Sequence, residues 1–137
     1  MTGKSATGKT GRDFRSDLGR ARGLGSAKEG VGHWWMQRLT AIALVPLALW
    51  FVASLIAHVG VDHAAASAWL GSPAVFGVMA LLIAAMFYHA ALGLQVIIED
   101  YVHREGLKIA ALLLMKFACA ALATAAMVSL LVIAFGR

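Results

Sequence analysis

Three apolar stretches, Leu39 to Ala57, Pro73 to Ile98 and Ile109 to Phe135, take up about half of this 137-residue chain. Each reaches the roughly 20 residues that a helix needs to cross a hydrocarbon core about 30 Å thick. Lipid offers the backbone no water, so a spanning segment must bond its own peptide groups, as a helix does. The fold class that follows is an all-α membrane protein with three transmembrane helices, expected over about residues 36–58, 73–100 and 107–135. Composition agrees: 61% hydrophobic residues and a mean hydropathy of +0.78 exceed what a water-soluble fold of this length carries.

The net charge of +5 is unevenly placed. Seven of the twelve basic residues (Lys4, Lys9, Arg12, Arg15, Arg20, Arg22, Lys28) precede Gly30, and Arg38 stands at the mouth of the first span. By the positive-inside rule the N-terminus is expected on the cytoplasmic (or matrix) side. The loop Val59 to Ser72, which has no Lys or Arg, is expected outside, Arg104 and Lys108 inside, and the C-terminus with Arg137 outside.

Residues 1–30 are rich in Gly, Ser, Thr, Lys and Arg and are expected to form a basic flexible tail, leaving 31–137 as the anchor domain. The tail contains G-K-S-A-T-G-K-T at Gly3 to Thr10, which satisfies the phosphate-loop pattern. Such a loop needs a buried strand feeding it and a helix leaving it, and only Met1 and Thr2 precede this one. The match is read as chance. Asp13 and Asp17 weaken a mitochondrial presequence, and no early apolar segment with a small-residue cleavage site suggests a secretory signal, so the tail is read as retained.

Trp34 and Trp35, beside Arg38, have the amphipathic rings expected at the inner interface, and Trp69 serves the same purpose outside. Pro46 lies within the first span, where a missing amide is tolerated if neighbouring helices cover the freed carbonyl. The many alanines of the third span permit close helix approach. The lone Cys119 is read as a packing residue.

His89 and Lys116 are the only basic residues inside the three stretches, which contain no Asp or Glu. Lys116 can snorkel back toward the headgroups on its flexible stem. His33, His58, His63 and His103 are interfacial, where histidine is tolerated without a function. His89 is eleven residues from Asp100, about 16 Å from the inner surface and beyond any snorkelling. A neutral imidazole there must hydrogen-bond across helices or bind a metal, and the residues alone leave both open. His89, Gly93, Val96 and Asp100 share one helical face, on which Gly93 leaves room for a flat macrocycle or for plain helix packing. A porphyrin ligated by His89 would turn its propionates inward, where Arg38 could pair with them. Its second histidine would have to come from another chain, because His58 is about two turns, or about 12 Å, off in depth. At the inner end Asp100 and Tyr101 suit an ordinary helix exit, and equally a carboxylate and a hydrogen-bond donor for a quinone.

The run H-A-A-L-G-L-Q-V-I-I-E-D-Y-V-H from His89, with R-L-T-A-I from Arg38, resembles the small hydrophobic membrane anchors of succinate dehydrogenase (respiratory complex II). The similarity covers about His33 through Leu107, and the third span more loosely. It implies that His89 is an axial ligand to haem b and that Arg38 lies near its propionates. Tyr101 would donate to ubiquinone, supported by Asp100. The transfer to His33 is weaker, because its spacing to Arg38 differs from the pattern, and Glu99 replaces what is often a small polar residue.

The function expected from the resemblance is to anchor a flavoprotein and an iron-sulfur subunit to a bacterial inner (cytoplasmic) membrane. A mitochondrial inner membrane is the less favoured setting. With a cytochrome b subunit supplying the second haem ligand, the chain would form the site that reduces ubiquinone. It would do no substrate chemistry alone. Expected partners are those subunits and membrane lipid, with no nucleic acid among them. The alternatives are an anchor of a fumarate reductase or other quinone-linked complex, and a cofactor-free structural membrane protein.

Overall fold

A computed structural model describes residues 28–136. The phosphate-loop-like run, nearly all of the basic tail and Arg137 lie outside them. Four helices follow in order: α1 (Lys28–Ala57), α2 (His63–Leu70), α3 (Pro73–Tyr101) and α4 (Glu105–Phe135). Among the described residues the protein is all-helical, and α1, α3 and α4 are long and apolar enough to cross a membrane. At 30, 29 and 31 residues they extend about 45 Å each, past the hydrocarbon and into the headgroups at both ends.

Helix α1 begins at Lys28, well before the expected start near residue 36, so His33, Trp34 and Trp35 are helical. Gly30 and Gly32 weaken this first part of the helix without stopping it, as no proline lies before Arg38, and α1 continues unbroken through Pro46. The segment expected as a plain loop, Val59 to Ser72, contains α2. Gly60 turns the chain with φ +84°, a conformation that a side chain would strain. Asp62 then caps α2 by accepting from the Ala65 N–H at 2.8 Å. The Gly71 N–H returns to Ser67 O at 2.9 Å, and Pro73 opens α3, where its missing amide costs nothing.

Helix α3 is central. The backbone of α1 approaches α3 and not α4, while α4 runs along α3 and also meets α2. The core is small: Met79 and Leu82 of α3 and Leu130 of α4 are buried, with Leu44, Leu47 and Trp50 of α1 packed against them. Trp69 swings inward from α2, its ring 6.3 Å from Trp50 and 4.1 Å from His58 by centroids. It is therefore half-buried packing as well as an interfacial ring. Ala120 and Ala123 of α4 and Ala84 and Ala91 of α3 line a shallow apolar hollow whose rim includes Lys116. Most large apolar side chains point away from the chain, including Ile42 at 70% and Phe117 at 72% exposure, as lipid-facing or partner-facing surface requires.

A Cβ on Gly71 would lie 2.9 Å from Ala134 O and 3.2 Å from Ser67 O, both backbone atoms that cannot swing aside. Gly71→Ala is therefore expected to push α2 off α4 and cost about 1–3 kcal/mol. A thermal melt of the detergent-solubilised protein checks this, and an unchanged midpoint would refute it.

Candidate functional site

Thr40, in the second half-turn after Arg38, is the buried polar side chain among the described residues. Its Oγ1 donates back to Met36 O at 2.8 Å, with Gln37 O at 3.1 Å, and lies 2.9 Å from His89 Nδ1. Among the described residues no other side-chain hydrogen bond joins two spanning helices. It ties α1 to α3 within their spanning segments, so neither polar group is left bare in hydrocarbon.

The imidazole of His89 is half-buried. With Nδ1 engaged by Thr40, its Nε2 has no hydrogen-bond partner among the described residues. His89 lines a hollow of about 390 Å³ whose other walls are His33, Trp34, Gln37, Arg38 and Ala41 of α1 and Val96 of α3. The guanidinium of Arg38 sits 4.2 Å from the centre of the Trp34 ring, a cation–π contact that holds it at the hollow's edge. A second hollow, lined by Gly30, His33, Gln95, Val96 and Glu99, continues toward the inner end.

Two buried polar atoms in this region lack partners: His33 Nε2 and Gln37 Oε1. Such atoms are costly unless something bonds them, and both residues line the hollow. The residues fit a flat, largely apolar group with a metal at its centre and an acidic edge. Imidazole nitrogen would meet the metal, and the cation and unpaired polar atoms would meet the acidic edge. No group of three or more His, Cys, Asp or Glu side chains is placed to hold a metal ion among the described residues.

Sequence reasoning places His89 and Arg38 together, and the structure brings them to one hollow. Of the two readings open for Gly93, helix packing is the one its surroundings fit. The site where its Cβ would stand is 3.3 Å from Gln37 Nε2, so the missing side chain admits the Gln37 amide, and the hollow forms without Gly93 in its lining. Asp100 and Tyr101 end α3 as exposed residues, Tyr101 at 79%, and line neither hollow. The neighbouring Glu99 accepts from Gln95 Nε2 at 2.8 Å, and His103 Nδ1 donates to Tyr101 O at 3.1 Å. His58 is at the opposite end of α1, its Nδ1 donating to Ser54 O at 2.8 Å beneath Trp69. Thr40 and Gln37 had no assigned role in the sequence. Their signal was available: a hydroxyl just inside an apolar run, and an amide one residue before the interfacial arginine.

A sequence profile of the succinate dehydrogenase/fumarate reductase transmembrane subunit family matches residues 12–123. The chain is similar to the succinate dehydrogenase hydrophobic membrane anchor subunit of Rickettsia bellii, with 42% identity over 92 residues, covering 66% of this chain and 72% of that one. The corresponding subunit of Rickettsia conorii is 34% identical over 110 residues, covering 78% and 86% of the two chains. That of Paracoccus denitrificans is 30% identical over 105 residues, covering 77% and 81%. No solved structure matches.

The Gly93 contact separates two substitutions. The far end of Gln37 can yield by a few tenths of an ångström, so Gly93→Ala is expected to cost less than about 1 kcal/mol. Gly93→Leu inserts three further carbons between α1 and α3 and is expected to break the Thr40–His89 bond and cost roughly 2–3 kcal/mol. Thermal midpoints of the two variants, measured side by side, check the order, and equal midpoints would refute it.

Proposed function

Because this chain belongs to the succinate dehydrogenase/fumarate reductase transmembrane subunit family and is a membrane anchor with three spanning helices, we propose that it pairs with a cytochrome b subunit to hold haem b and form a ubiquinone-reducing site. The observation that carries the reading is the hollow between α1 and α3, where His89 and Arg38 meet beside two unpartnered polar atoms. In it, His89 Nε2 would ligate the haem iron and Arg38 would pair with the propionates, its charge steadied on Trp34. Haem b supplies a one-electron store there. His58 is ruled out as the second ligand in this reading by its place at the other end of α1, so the partner subunit provides it.

The quinone half of the proposal rests on Tyr101 and Asp100. Both are exposed at the end of α3, open to a ligand that neighbouring subunits would cover. The Tyr101 hydroxyl donates to a quinone carbonyl, and the Asp100 carboxylate orients it and passes protons from the inner side. The flavoprotein and iron-sulfur subunits sit on that side, which the basic N-terminal segment marks as cytoplasmic. The names of the relatives favour succinate oxidation over fumarate reduction, and their sources, mostly bacterial with a mitochondrial one among them, lean toward a bacterial inner membrane.

The test uses the complex purified through its partner subunits. A reduced-minus-oxidised spectrum is expected to show a b-type band that His89→Leu removes while the subunits stay assembled. A wild-type complex without that band would overturn the haem reading. Tyr101→Phe is expected to lower ubiquinone reduction at least about tenfold with haem content retained, the loss of one directed hydrogen bond. Unchanged kinetics would overturn the quinone role.

A further inference from the structure

We propose that Thr40 is the positioning residue for the metal-ligating histidine: it fixes the tautomer and ring plane of His89 and tunes the potential of the bound haem. This rests on the haem reading above, and adds to it a role for a residue that touches neither the metal nor the macrocycle.

The argument follows from counting protons. The Thr40 hydroxyl carries one hydrogen and has three close polar neighbours: Met36 O at 2.8 Å, Gln37 O at 3.1 Å and His89 Nδ1 at 2.9 Å. Two of the three are carbonyl oxygens, which only accept. If the hydroxyl pointed at the imidazole, its oxygen would face both carbonyls with no proton between them, a repulsion of lone pairs at close range. Pointed at Met36 O, the hydroxyl makes the back-bond common for threonine in helices. Its oxygen is then free to accept from a protonated Nδ1. In this second arrangement alone both the shortest contacts carry a proton, and Gln37 O, at 3.1 Å, shares the hydroxyl proton as the weaker arm of a three-centre bond. His89 is thereby held as the Nδ1–H tautomer, with the lone pair on Nε2, the nitrogen that has no described partner.

The chemistry of the acceptor matters as much as its place. Histidine ligands in general gain basicity from whatever accepts their second N–H, and are held in plane by it. A carboxylate in this position would pull the proton strongly. Thr40 offers a neutral oxygen, moderately strengthened because its own proton is given to a carbonyl. The site is 9% exposed, so water cannot take over if the hydroxyl is lost. Gln37 and Arg38, on the same turn of α1, line the hollow that His89 lines from α3, so one helix sets both the ligand and its surroundings.

The experiment compares Thr40→Val, which keeps the shape and removes the oxygen, with Thr40→Ser, which keeps the oxygen. Both are made in the full complex with its partner subunits. The readouts are the haem midpoint potential by redox titration and the low-spin ferric electron paramagnetic resonance line shape. Thr40→Val is expected to raise the potential, since the less basic imidazole stabilises ferric iron less, and to broaden the resonance as the ring plane loosens. Thr40→Ser is expected to restore the wild-type values of both. If the valine variant assembles without haem while the serine variant retains it at wild-type potential, the proposal is likewise supported. Identical potentials and line shapes in wild type and Thr40→Val would overturn it, as would a serine variant shifted as far as the valine variant. A wild-type complex with no b-type haem would instead overturn the haem reading, so the two failures are distinguishable.

Discussion

Inside hydrocarbon a polar atom has no solvent to fall back on, and the arrangement of this chain turns on how that scarcity is met at one point. Helical backbones satisfy themselves, which leaves the side chains of Thr40 and His89 to satisfy each other across α1 and α3. An interhelical bond of this kind contributes only about 0.6–2 kcal/mol, but the backbone of α1 approaches no spanning helix except α3. Apolar packing of Leu44, Leu47 and Trp50 holds the half of α1 nearer α2, and the Thr40–His89 bond holds the other half. Between them they set the rotation of α1 about its axis. That rotation carries Gln37 onto Gly93 and turns Arg38 toward the hollow.

The same helix exposes Ile42, Val45, Leu49, Val52 and Ile56, a stripe with spacings of three and four residues. In a bilayer, lipid tails cover such a stripe as well as a neighbouring helix would, so its hydrophobicity alone does not drive association. What distinguishes the hollow beside it, which Arg38 borders in line with the stripe, is its polar content. Unpartnered His33 Nε2 and Gln37 Oε1, the open Nε2 of His89 and a guanidinium are groups that lipid tails cannot satisfy. The demand for a ligand and the demand for company therefore fall on the same side of α1.

The spans were legible because their signal is coarse: a run of apolar residues long enough to cross is hard to mistake, and the three runs became α1, α3 and α4. Finer features depended on partners far along the chain. Helix α2 was hidden in a segment read as a loop, since eight residues from His63 to Leu70 carry little periodicity and depend on the Asp62 cap and on Trp69 reaching Trp50. The early start of α1 was missed because glycines and interfacial tryptophans read as a boundary. At the site, a histidine within an apolar run was readable as a polar group in need of a partner, and so was a hydroxyl just inside another, but their pairing was not, because the two lie 49 positions apart. Gly93 was readable as a gap with two possible tenants, a macrocycle or a neighbouring helix, and the structure puts the Gln37 amide of α1 there, which a gap on a helix face does not say by itself.

Histidine has two nitrogens, and a spanning chain with three helices in a row has two sides on which to place them. With α1 on one flank of α3 and α4 on the other, a histidine on the central helix can be tied from one flank and still turn its second nitrogen out of the chain. Had α1 and α4 closed against each other, His89 would have been enclosed and a second internal bond would have been needed. The row leaves that nitrogen at an open edge. A group bound there would rest on α1 and α3 and remain uncovered elsewhere, so the chain would supply half of such a site, and in the proposed complex an adjoining subunit would supply the rest.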